Sequence, residues 1–121
     1  MTSVVIPTSK TSDDMICEFI RQEGRTTAKL RIEVDTVGRP HDTFASDAAH
    51  CGKDPAPINA IGNEAMICSR KKHHEITEHL VGRVRDRIFL LDITSDAPHP
   101  DNAMLREKAE QISQQVAGIL F

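Results

Sequence analysis

Between residues 29 and 35 the chain alternates strictly, with Leu30, Ile32 and Val34 standing between Lys29, Arg31, Glu33 and Asp35. Successive side chains of a strand point to opposite faces, so this run has one apolar and one solvated face. An antiparallel sheet covered on one side asks for that pattern. A hairpin is predicted further on, where residues 78–85 and 87–95 are rich in β-favouring residues and Asp86 lies between them. In its second strand Phe89, Leu91 and Ile93 share one face, while Ile88 and Leu90 share the other. That strand is therefore central, or partly covered on its second side.

The remaining elements follow from local signals. Ile16, Phe19 and Ile20 argue for a strand over residues 15–21, with residues 22–25 as the turn into the next. Gly38 and Pro40 break the alternating strand, and Pro40 suits the first turn of a helix reaching about residue 50. Phe44 and Ala48 share a face of that helix, and Gly52 stops it. Residues 53–59 hold two prolines and read as an ordered loop, after which residues 65–69 make a short strand and residues 70–74 a polar connection. Pro98 and Pro100 end the sheet, and Asp101 or Asn102 caps a last helix. Its buried stripe is Leu105, Ala109, Ile112, Val116 and Leu120. Residues 1–14, rich in Thr, Ser and Asp, read as a flexible N-terminal arm before a single domain over 15–121. The order β-β-α-β-β-β-α predicts a two-layer α+β domain, with a mostly antiparallel sheet of about five strands and helices on one face.

A chain of 121 residues is long enough to bury a core without a metal or a dense set of disulfides. Its formal charge of -3 and only four aromatic residues, all Phe, leave neither the basic surface nor the stacking platforms that nucleic-acid binding uses. No stretch approaches the roughly 20 apolar residues of a transmembrane helix. The start, Met1 to Pro7, has neither the basic flank nor the apolar length of a signal peptide, so in an exported protein that segment would already have been removed. Cys17, Cys51 and Cys68 form no C-x-x-C pair, which argues against a zinc ribbon or a thioredoxin-type motif. Thiols in separate elements suit either a disulfide formed by tertiary folding or buried free cysteines, and the odd number leaves one over.

Cys17-Glu18-Phe19, the run from Leu30 to Val34, the segment Ala60-Ile61-Gly62-Asn63-Glu64-Ala65 with Cys68 after it, and the helix around Leu105-Arg106-Glu107 resemble a family of small exported bacterial proteins of unknown function. These are lipoprotein-type domains with a Gly-Ile-Gly-Asp-Glu-Ala stretch, and the resemblance covers residues 15–121. This chain has Ala60 in place of the first Gly and Asn63 in place of Asp. The resemblance implies an extracytoplasmic protein, periplasmic or secreted, with a membrane anchor in the full-length form as a further alternative. Such families often begin with a cysteine-bearing helix that is absent here. On that comparison Cys51 pairs with Cys68 and Cys17 is left without a partner; closing that loop would stabilise the fold by about 3 kcal/mol.

Candidate sites are few. Gly62, Asn63 and Glu64 form a turn in which Gly62 supplies an unusual backbone conformation and Glu64 either fixes the strand that follows or faces a ligand. His73, His74 and His79 lie close in sequence, but adjacent strand residues point to opposite faces, so no metal site is expected. His50 beside Cys51 lacks the geometry of a nucleophile and its base. Arg70, Lys71 and Lys72, with Arg83, Arg85 and Arg87, form a basic set interleaved with Glu75, Glu78 and Asp86, as a solvated sheet edge would be. The expected function is a non-catalytic binding or structural module without cofactor, serving an unknown protein or small-molecule partner. The alternative is an apolar-ligand binder with a pocket between sheet and helices, lined by Leu30, Phe89 and Ile112. Sheet extension could also make a homodimer.

Overall fold

The computed structural model describes residues 2–9, 15–59, 61–97 and 102–120. It contains β1 (Thr2–Ser9), β2 (Met15–Glu23), β3 (Thr26–Thr36), α1 (Pro40–Ala49), β4 (Lys53–Pro57), β5 (Glu64–Lys72), β6 (Glu75–Val84), β7 (Arg87–Ser95) and α2 (Asn102–Leu120). The strands form one sheet of seven in the order β1-β2-β3-β7-β6-β5-β4. Every neighbouring pair is antiparallel. The α+β class and the antiparallel sheet are those expected from the alternation.

Two strands exceed the expectation. Thr2–Ser9, read as an arm, pairs along its length with β2, running from Thr2 opposite Gln22 to Ser9 opposite Met15. Its Ser- and Thr-rich composition hides the strand, because an edge strand need not carry an apolar face to complete a ladder. Lys53–Pro57, read as a loop, is the opposite edge; Pro55 and Pro57 are tolerated there because an edge strand has a row of backbone groups that needs no partner. Lys10 to Asp14, Ala60, Pro98, Pro100 and the proposed cap Asp101 lie outside the described residues.

Three two-residue turns join the central strands. Their first residues, Gly24, His73 and Arg85, have φ of 60°, 55° and 59°. Positive φ lets a tight hairpin follow the twist of its strands. Only the first of the three turns announces this with a glycine.

The helices lie on opposite faces of the sheet, where the sequence suggested one. Strand β7 shows why: Phe89 and Leu91 join a cluster with Ala109 and Ala117 of α2, whereas Ile88 packs with Phe44 of α1 and Val81. Alternation along the strand sends these two sets to opposite sides. As the fourth of seven strands, β7 needs cover on both. Of the predicted α2 stripe, Ala109 is fully buried in the core cluster and Ile112, Val116 and Leu120 pack against that cluster, while Leu105 is not among its members. On that side Phe89 lies directly over Gly82, where a Cβ would run into the ring.

Candidate functional site

Helix α1 has ten residues and packs over β6 and β7 through Phe44, and among the described residues no other helix covers the remainder of that sheet face. Strand register arranges that remainder in two rows. One row runs Glu18, Arg31, Asp92, His79, Cys68 across β2, β3, β7, β6 and β5; the next runs Ile20, Lys29, Thr94, Thr77, Arg70. Except for the buried His79 and Cys68, the members of both rows line a trough of about 390 Å³.

The groups in the first row are largely occupied with one another. Arg31 Nε lies 3.4 Å from Glu18 Oε1. His79 Nδ1 makes a short contact with Asp92 Oδ1, and the imidazole is almost wholly buried while the carboxylate borders the trough. In the second row Thr77 Oγ1 and Thr94 Oγ1 are hydrogen-bonded at 2.8 Å. Arg70 closes the row, its Nε donating to the Cys51 carbonyl at 2.7 Å and its Nη2 to the His50 carbonyl at 3.4 Å.

That carbonyl is held by a disulfide between Cys51 and Cys68, whose Cα atoms are 5.9 Å apart. Both cysteines are buried, at 1% and 0% exposure. Gly52 next to the bridge has φ 153°, and a Cβ there would sit 2.7 Å from the Ser69 carbonyl oxygen. The chain can thus leave α1 and reach β4 only with glycine at this position. Cys17 is a free, partly buried thiol on β2.

Gly62, Asn63 and Glu64 come together at the far end of the same face, away from the trough. Gly62 has φ 59°, and an added Cβ would meet the Arg83 carbonyl oxygen at 2.5 Å. The Asn63 amide donates to that carbonyl at 2.8 Å, and Asn63 Oδ1 accepts from the Arg85 amide at 2.8 Å. Glu64 Oε2 accepts from Arg83 Nε at 2.7 Å and contacts His41 Nδ1 at 3.0 Å. Desolvation pushes the Glu64 carboxyl up, but Arg83 and His41 together outweigh it and hold the group below its ordinary range. The turn thereby clasps the β6–β7 hairpin and the first turn of α1.

The histidines separate. His73 and His74 are exposed in the β5–β6 turn and border a different hollow with Glu75 and Asp96, while His79 is buried. Among the described residues no three His, Cys, Asp or Glu side chains are grouped to hold a metal ion. The basic set divides too: Arg70 and Lys72 border the trough, whereas Arg83 is bound to Glu64.

Sequence reasoning missed two polar groups. One is the Thr77–Thr94 pair with the His79–Asp92 contact beside it. The other lies on the α2 side, where fully buried Glu78 accepts from Ser69 Oγ at 2.7 Å and Arg106 Nε at 3.2 Å. Arg106 also donates to the Asp54 carbonyl at 3.2 Å, tying α2 to β4, β5 and β6. Asp92 within an otherwise apolar strand and Glu78 inside a β-rich run were the available signals, but only register supplies their partners. Neither described helix is long and apolar enough to cross a membrane. No protein-family model matches the chain, and neither a curated protein nor a solved structure matches it.

Proposed function

We propose that this chain is a non-catalytic binding module that works outside the cytoplasm and holds its ligand in the trough beside α1. The observation that carries this is a trough on the α1 face of the sheet, lined mostly by polar and charged residues and closed at one end by Arg70, which bonds the carbonyl of disulfide-linked Cys51. Pockets of about 300–1,000 Å³ are the usual size for small-molecule sites. The ionisable groups of the first row are tied in pairs, Arg31 to Glu18 and Asp92 to His79, which suits holding a ligand better than moving protons. The disulfide supports an oxidising compartment, as does the resemblance of residues 60–65 to the Gly-Asp-Glu-Ala-type stretch of small exported bacterial proteins.

An apolar ligand between sheet and α2 fits less well, because Leu30, Phe89 and Ile112 pack together in the core cluster. Self-association has one structural argument in its favour. The β1 edge is available for sheet extension, whereas β4 is blunted by Pro55, Pro57 and a register shift between Lys53 and Ala56.

A mixed library of acidic, basic and neutral fragments, screened by backbone amide chemical shifts, tests the binding reading. Hits should cluster at residues 29, 77 and 94. Hits scattered over the surface, or none at all, would contradict it.

A further inference from the structure

We infer that the trough takes a small organic acid, its carboxylate seated on the Thr77–Thr94 hydroxyl pair between Lys29 and Arg70, an assignment that rests on the trough being the binding site. The second row reads cation, hydroxyl, hydroxyl, cation across four adjacent strands. Strands lie about 4.8 Å apart, which sets the two cations on opposite walls with the hydroxyls midway. Two hydroxyls carry two protons, and their mutual hydrogen bond uses one. The other is a donor for an acceptor in the trough.

Charge points the same way. Arg31 is paired with Glu18, and Asp92 contacts His79. The other charged side chains bordering the trough are Lys29, Arg70, Lys72 and Glu75, so cations outnumber anions there although the whole chain carries -3. Arg70 spends donors on the Cys51 and His50 carbonyls, yet its guanidinium has five N–H groups and keeps others for a ligand.

The site suits a carboxylate better than a phosphate. Phosphate sites draw on backbone N–H groups at a helix N-terminus or a glycine-rich loop. Here the ladder occupies the strand amides, and the helix end nearest the trough is the C-terminus of α1, whose carbonyls repel a dianion. The Arg70 fork, one hydroxyl proton and a lysine match a planar monoanionic group.

Amide chemical-shift titrations at constant ionic strength, with butyrate, its neutral analogue butyramide, and inorganic phosphate, test the assignment. Butyrate should give saturable shifts at residues 29, 77 and 94, and the other two should give none. Lys29→Gln and Thr94→Val should each weaken butyrate binding at least about tenfold while the rest of the spectrum keeps its dispersion. Phosphate binding in place of butyrate, equal binding of butyramide, or butyrate binding indifferent to both substitutions would overturn it. Neutral or basic fragments that cluster in the trough while butyrate does not bind would defeat the carboxylate and leave the binding module standing. An empty trough in both experiments would defeat both.

Discussion

Ser113 on α2 is fully buried, and its hydroxyl has no hydrogen-bond partner among the described residues. An unsatisfied buried hydroxyl costs about 1–3 kcal/mol. Ser113→Ala should therefore stabilise the fold by about 1 kcal/mol, read as a higher urea midpoint with an unchanged slope; a loss of stability would mean that the hydroxyl is satisfied. Glu64 stands at the other pole, a carboxylate with more partners than its exposure requires. Its folded pKa lies below the ordinary 4.5, so its contribution is complete above that value and is lost as pH falls through the lowered one. Glu64→Gln should be less stable than the parent at neutral pH, and the gap should close in acid. A gap that stays constant from pH 7 to pH 3 would contradict the Arg83 and His41 contacts as its source.

Among the elements, Gly82 is the sharpest test of how α2 and the sheet form the main core. The Phe89 ring over it is fully buried and has nowhere to retreat. Gly82→Ala should cost about 1–3 kcal/mol in overpacking, and a neutral substitution would mean that the ring does not cover β6. Strands with alternation or turn signals, β2, β3, β6 and β7, were legible from residue pattern alone. Strands β1 and β4 were not, since an edge strand is defined by its neighbour and carries little pattern of its own. The double apolar character of β7 was visible in Ile88 and Leu90. It demanded a helix on each face, a consequence that a count of helices and strands does not reveal.

At the scale of the molecule, three polar assemblies among the described residues stand apart from one another: the Glu64 clasp, the Glu78–Arg106 tie on the α2 side, and the trough. The first was half legible, because Gly62 and Asn63 announce a turn, although Arg83 and His41 as partners of Glu64 could not be read from spacing. The trough was illegible for a physical reason. Lys29, Thr77 and Thr94 are ordinary strand residues, and only the pairing of β3, β7 and β6 places them in one row. Register also sets Arg70 in that row, where the Cys51 carbonyl holds its side chain, and the disulfide fixes Cys51 against β5. The oxidised state is thus bound up with the proposed site as well as with the compartment. Intact mass after alkylation in denaturant, on protein quenched in the cells that make it, tests this most directly. One alkylated thiol without reduction, at Cys17, and three after reduction are the expected result; three without reduction would contradict an oxidised, extracytoplasmic binding module.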